Sequence, residues 1–310
     1  MGTASFSKIV LERLIEEEKY LIVGVVTQPD RYVGRKKEKQ MPDVKKVALI
    51  HYIPVFQPSR IKQEYDEIVA LQADIIITAA YGQIIPDVIL HSAKIAAINV
   101  HASLLPAYRG GAPVHQAIID GKDKTGVTIM YMVKKMDAGN IIKQKEVPIA
   151  IDDTVGTLYD RLSHVGATLL VETLPSILKG DNASIAQKES EVSYAPIITR
   201  EKEKVSFTKN VFAVYNQVRG LSPWPGAYCM YRGKVVKLWA GRMEPTDLAY
   251  TGIPGTIVSL TKDAIGVQCN DGVYWITEIQ IEGKRKMTVK EYQNGNSIFD
   301  IGQVFNEDEN

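Results

Sequence analysis

From its start to about residue 180 the chain alternates short apolar runs with amphipathic stretches of helical period, the pattern of βα units around a mostly parallel sheet. Residues 20–26 (YLIVGVV), 74–80 (DIIITAA) and 95–100 (IAAINV) are too short and too β-branched for buried helices and predict strands. Between them, Ser7 is placed to cap a helix that carries Ile9, Val10, Leu14 and Ile15 inward. Pro113 suits the first turn of another helix, which stops before Gly121, and a long helical stretch over residues 154–178 closes the domain.

Residues 180–204 are rich in Asp, Asn, Ser and Glu and hold no sustained period, so they read as a connection. The expected organisation is therefore a first domain over residues 1–183, a linker over 184–203 and a second domain over 204–310. In the second domain a helix over 210–218 precedes alternating runs at 226–231, 235–239, 256–260, 265–269 and 273–280. Five short strands at that spacing predict a small antiparallel β-barrel of the OB type, a fold that holds nucleic acids. The opening residues, Met1 to Phe6, have the composition of a turn that follows a strand, and no strand precedes them. Two readings stand: a start placed too late, or a sheet that folds without that strand.

The length of 310 residues suits two domains, and 45% hydrophobic with 24% charged residues is the balance of a water-soluble chain. No apolar stretch approaches the ~20 residues of a membrane span, and no secretory signal opens the chain, so a cytoplasmic protein is expected, with no membrane partner. Cys229 and Cys269 lack CxxC spacing and read as structural. The net charge of +1 decides nothing about nucleic acid, because phosphates respond to local clusters. Two such clusters exist, one of Arg31, Arg35, Lys36, Lys37 and Lys39, the other of Lys284, Arg285, Lys286 and Lys290. Each is either a solvated loop or a phosphate contact.

Candidate chemistry concentrates in residues 99–106 (NVHASLLP), at the carboxyl end of an apolar strand, where ligands of open α/β sheets bind. Period-two geometry puts Asn99 and His101 on one face, about 7 Å apart. An amide N–H and a charged imidazole together would stabilise negative charge on a carbonyl oxygen. Asp137 follows the alternating run 127–133 and precedes Ala138-Gly139, so its carboxylate could face the same cleft and keep the histidine charged. The plainer alternatives are a satisfied core histidine and a turn aspartate. There is no GxGxxG after a first strand and no GxxxxGK[ST], which weakens dinucleotide and triphosphate readings. His51, His91, His115 and His164 show no metal-ligand spacing, and no metal is expected.

Over nearly its whole length the chain resembles methionyl-tRNA formyltransferases, through residues 26–37 (VTQPDRYVGRKK), 100–121 (VHASLLPAYRGGAPVHQAIIDG), 125–141 (TGVTIMYMVKKMDAGNI) and 219–228 (RGLSPWPGAY). N-x-H with SLLP and DAG is shared by the folate-dependent formyltransferases of this Rossmann-like fold. RGLSPWP, the basic loop and the second domain point to an aminoacyl-tRNA acceptor. The resemblance implies a catalytic trio of Asn99, His101 and Asp137, and a folate pocket that includes Ser103, Leu104, Leu105 and Pro106. It further implies tRNA contacts from Arg35, Lys36 and Lys37 and from Lys284, Arg285 and Lys286. The implied reaction moves a formyl group from 10-formyltetrahydrofolate to the α-amine of methionyl-tRNA, in a monomer. The family has an apolar strand before MGT and a proline at the place of Ala4; it also has prolines where Tyr32 and residues 41–43 stand here. The competing expectations are a formyltransferase acting on an amino sugar or purine precursor, and a tRNA- or folate-binding protein without activity.

Overall fold

The computed structural model describes residues 1–33, 38–245, 252–295 and 297–306. They fall into two compact units, one of residues 1–113, 124–148 and 159–196, the other of 114–123, 149–158 and 197–310. In chain order the elements up to residue 179 begin with α1 (Ser5–Glu16), β1 (Val25–Val26), β2 (Arg31–Val33), β3 (Glu38–Gln40), α2 (Asp43–Ile50) and β4 (Val55–Phe56). Next come α3 (Asp66–Ala70), β5 (Ile75–Thr78), α4 (Asp87–Leu90), β6 (Ala96–His101), α5 (Pro113–Ile119), β7 (Lys124–Tyr131), β8 (Ile141–Pro148) and α6 (Val155–Lys179).

In the first unit β5 and β6 are parallel, β7 and β8 continue that sheet antiparallel, and β1 and β4 form a separate parallel pair. The alternation read in the sequence holds for β6, whose Ala97, Ile98 and Val100 are buried. The run 20–26 forms a strand only at its last two residues, and Leu21 is 88% exposed. Met1 to Thr3 run between the end of β1 and the end of β5. Gly2 N–H donates to the Val26 carbonyl (2.9 Å), while the Met1 amine donates to Ile77 (2.6 Å) and Ala79 N–H donates to Met1 (3.0 Å). Burial holds the Met1 amine down at a pKa of about 5.

The helix expected after Ser7 instead begins three residues earlier, at Ser5, with Ala4 at the N-cap and no side-chain cap. Ser7 lies inside its first turn, where its hydroxyl accepts from Thr3 N–H (2.9 Å) and donates to the Ala79 carbonyl, tying α1 to the end of β5. Phe6, Val10, Leu11 and Leu14 form the buried face.

The second unit continues with α7 (Arg200–Glu203), α8 (Val211–Gly220), β9 (Ala227–Tyr231), β10 (Lys234–Pro245), β11 (Ile257–Leu260), β12 (Ile265–Gln268), β13 (Gly272–Ile281), β14 (Met287–Thr288) and α9 (Val289–Gln293). Asn210 caps α8 by accepting from Ala213 N–H (2.7 Å). All pairings in this sheet are antiparallel, in the order β11-β12-β13-β10-β9, with β14 on β13. The strands expected to form a small barrel build this antiparallel sheet, and among the described residues β11 and β9 are edges with no ladder between them. The final segment stitches them instead. Ile257 N–H donates to Gln303 (2.8 Å), Phe305 N–H to Gly255 (2.9 Å) and Asn306 N–H to Met230 (2.8 Å). No helix among the described residues is long and apolar enough to cross a membrane.

Candidate active site

Strand β6 ends in Asn99, Val100 and His101, and its register against the neighbouring strands fixes where each side chain goes. Val100 is buried in the core, so Asn99 and His101 share the opposite face. Thr78, opposite Asn99 on β5, has its hydroxyl 2.7 Å from Asn99 Oδ1. When that hydroxyl donates, the amide nitrogen is turned away and its hydrogens are left for a ligand.

His101 is only 7% exposed, and its Nε2 lies 3.1 Å from the Tyr108 carbonyl oxygen. A carbonyl can only accept, so Nε2 carries a hydrogen and Nδ1 is the nitrogen turned toward Asp137. Nδ1 stands 3.9 Å from Asp137 Oδ2, too long for a hydrogen bond and within ion-pair range. The sequence-predicted trio is thus assembled within the first unit.

Asp137 has a φ of 50°, in the left-handed region. Its Oδ2 accepts from Gly110 N–H at 2.8 Å, and Gly110 is at φ 122° with Ala195 O 2.7 Å from where a Cβ would lie. Gly110 N–H thus anchors one carboxylate oxygen from the backbone.

Residues 103–106 form the loop after β6. Ser103 is fully buried and donates to the Ala107 carbonyl (2.7 Å), while Leu105 is 3% exposed and its N–H donates to Thr128 Oγ1 (3.1 Å). These two therefore set the loop's shape from within, and of the four expected folate-pocket residues Leu104 and Pro106 are the half-buried ones. Thr128 is the hub: it donates to Ser103 O (2.6 Å), and Gln144 Nε2 donates both to it and to Leu105 O, each at 2.8 Å. The Leu105–Pro106 peptide is cis.

Sequence reasoning missed the largest fully buried side chain, Arg109. Its guanidinium donates to Gln187 Oε1 (2.8 and 3.0 Å) and to Glu189 Oε1 (3.2 Å). An arginine in a Gly-rich segment next to the catalytic motif was a signal that could have been weighed; Gln187 had none, because its partners are about 50 to 80 residues away.

Of the expected tRNA contacts, Arg35, Lys36 and Lys37 lie outside the described residues. Lys284, Arg285 and Lys286 are exposed beside β13 and α9. Arg285 pairs with Glu291 (3.4 Å) and Lys286 with Glu278 (2.7 Å), whereas Lys284 stands over the Tyr292 ring at 5.1 Å. Unforeseen neighbours extend this face: Lys286 and Lys237 both stand over the Trp239 ring (5.4 and 5.3 Å), and Arg242 over Trp275 (5.5 Å). In residues 219–225, Arg219 points inward to the carbonyls of Ala150 and Asp153 (3.1 and 2.8 Å), and Leu221 and Ser222 are buried. Pro223 and Trp224 are the residues of that motif that reach the surface, Trp224 being 41% exposed.

Residues 1–174 match the family model described as formyl transferase, and residues 197–297 match the one described as formyl transferase, C-terminal domain. Proteins described as methionyl-tRNA formyltransferase from Staphylococcus epidermidis and Streptococcus uberis are both 48% identical to the chain. The first alignment covers 98% of this chain and 97% of that protein, the second 95% and 94%. Among solved structures, WlaRD, a sugar 3N-formyltransferase in the presence of dTDP and 5-N-formyl-THF, superposes with a TM-score of 0.66 at 20% identity, covering 92% of this chain and 97% of that one. HypX from Aquifex aeolicus in complex with tetrahydrofolic acid gives a TM-score of 0.62 at 19% identity, covering 88% of this chain and 47% of that one.

Proposed function

Since the chain belongs to the formyl transferase family, we propose that it transfers the formyl group of 10-formyltetrahydrofolate to the α-amine of methionyl-tRNA, with Asn99, His101 and Asp137 as its catalytic residues. The observation that carries the catalytic part is the 3.9 Å gap between His101 Nδ1 and Asp137 Oδ2, flanked by an Asn99 amide whose oxygen is already engaged by Thr78.

The amine nitrogen attacks the formyl carbon directly, and no enzyme nucleophile is required. As that bond forms, charge accumulates on the formyl oxygen, where the Asn99 amide and the His101 Nδ1–H are the available donors. The amine's proton leaves toward Asp137, directly or through a water, and the carrier's N10 takes a proton as its bond to the formyl carbon breaks. Leu104 and Pro106 offer apolar surface to the folate ring, and the chain's likeness to folate-bound neighbours supports a folate carrier.

The aminoacyl-tRNA acceptor is supported by the full-length similarity to methionyl-tRNA formyltransferases and by the basic and aromatic face around Lys284, Lys286 and Trp239. The test is acceptor choice. With 10-formyltetrahydrofolate as donor, methionyl-tRNA is expected to be formylated and a nucleotide-linked amino sugar not. Preferential turnover of the sugar would overturn the acceptor, and binding of both substrates without turnover would overturn the activity.

A further inference from the structure

The segment over residues 185–195 lies on the first unit, against the loops that carry the site. Ile185 exchanges both backbone hydrogen bonds with Ile141 (2.8 Å each), and Arg109 exchanges backbone bonds with Ser193 (2.9 Å) and Ala195 (2.8 Å). Between these two anchors Gln187 turns inward and is half-buried. Its amide nitrogen donates to the carbonyls of both Asp137 and Gly139, at 2.8 Å each, and its amide oxygen accepts twice from Arg109.

This amide has a single permissible orientation. Carbonyls only accept and a guanidinium only donates, so a flipped Gln187 would lose all four contacts. The two carbonyls it holds flank the Ala138-Gly139 pair that follows Asp137, whose left-handed backbone is otherwise unfavourable for a residue with a Cβ. Gly139 cannot relax in compensation, because the position of a Cβ there lies 1.8 Å from the Tyr131 carbonyl oxygen. Arg109 in turn is fixed by its backbone pairing and by Glu189, which Lys135 also engages at 3.0 Å.

We infer that Gln187, oriented by Arg109, is a positioning residue that holds the Asp137 turn so that its carboxylate faces His101. The inference rests on the catalytic reading of Asp137 above and adds to it a residue from the segment expected to be only a linker. Gln187 touches neither substrate nor reacting atoms; it acts through the backbone of the turn.

The experiment is a double-mutant cycle in the full chain, read as kcat and KM with methionyl-tRNA and 10-formyltetrahydrofolate. Gln187→Glu keeps a partner for Arg109 but sets oxygen against two carbonyls, and Gln187→Met removes the amide altogether. Each is expected to lower kcat about 10- to 100-fold, the cost of misplacing a catalytic group by an ångström or less, with KM for both substrates unchanged. In an Asp137→Asn background the same changes are expected to alter kcat less than about twofold, because residues acting as one unit are not additive. Native kcat in folded Gln187→Glu and Gln187→Met overturns the inference. So does an undiminished further fall in the Asp137→Asn background, and so does loss of folded protein in both variants, which would make Gln187 a part of the frame. An Asp137→Asn chain with native kcat would overturn instead the catalytic reading on which the inference stands.

Discussion

Thr78 Oγ1 and Asn99 Oδ1, facing each other across the parallel strands β5 and β6, are 2.7 Å apart, and this contact decides which end of the Asn99 amide reaches the site. Thr78 is buried, so its hydroxyl has no water to turn to. Thr78→Val keeps the shape and removes the hydrogen bond. One such bond is worth about 1 kcal/mol net, so a fivefold to tenfold fall in kcat is expected, with native turnover in Thr78→Ser. Equal turnover in the Val and Ser variants would show that Asn99 needs no orientation.

Loss of the donors themselves should cost more. On the proposed mechanism His101→Ala and Asn99→Ala each remove a donor to the developing oxyanion, and each is expected to lower kcat by about 10²- to 10³-fold while the melting temperature moves little. Because the His101 ring also caps the Tyr108 carbonyl at 3.1 Å, His101→Gln is the better-behaved companion variant. Near-native turnover in either folded His101 variant would remove the imidazole from the mechanism.

How much of this was legible in the sequence follows the range of the interactions. That Asn99 and His101 share one strand face was legible because period two and an apolar strand are local signals, and the DAG turn marked Asp137, which the structure places 3.9 Å from His101. The short β1 was not foreseen, since whether residues 21–24 ladder depends on what lies beside them and not on their own β-branched pattern. The barrel was expected from strand spacing alone, yet the edges of β11 and β9 are linked by Gln303, Phe305 and Asn306, which carry no strand period. Ser7 was read as a helix cap because its residue type allows it, but tertiary partners at Thr3 and Ala79 claimed its hydroxyl. Arg109 and Gln187 stayed hidden because their pairing spans 78 residues.

Gly139 supplies a stability prediction. A Cβ there would lie 1.8 Å from the Tyr131 carbonyl oxygen, a backbone atom in β7 that cannot swing aside. Gly139→Ala is expected to destabilise the first unit by roughly 2 to 4 kcal/mol or to displace the Asp137 turn, so either the melting temperature or kcat falls. A variant native in both would mean the turn has slack that its geometry denies.

For the basic face of the second unit, Lys284 is the informative residue. It stands over the Tyr292 ring, with no carboxylate partner among the described residues, whereas Lys286 is paired with Glu278. If Lys284 meets a tRNA phosphate, Lys284→Glu should weaken binding at low salt and reduce the slope of log K against log salt by about one. Lys286→Glu is expected to do less, because Glu278 already offsets its charge. An unchanged slope for Lys284→Glu takes this residue out of the interface.

His115 gives the pH prediction. Its ring packs edge-on to Trp224 with centroids 6.2 Å apart, its Nε2 is buried without a hydrogen-bond partner, and burial holds its pKa down at about 4 against an ordinary 6.5. Between those two values the unfolded chain binds more protons than the folded one, so the stability contributed by this group rises with pH through the window and is lost on acidification. The loss amounts to roughly 2 kcal/mol by pH 5 and about 3 kcal/mol below pH 4, with no contribution to the slope above about pH 7. His115→Gln cannot take up the proton, so the difference in unfolding free energy between the two chains should shrink by that amount from pH 7 to pH 5 if the histidine is the cause. Denaturant unfolding at the two pH values measures it, and parallel pH dependences for the two chains would assign the acid lability to other groups.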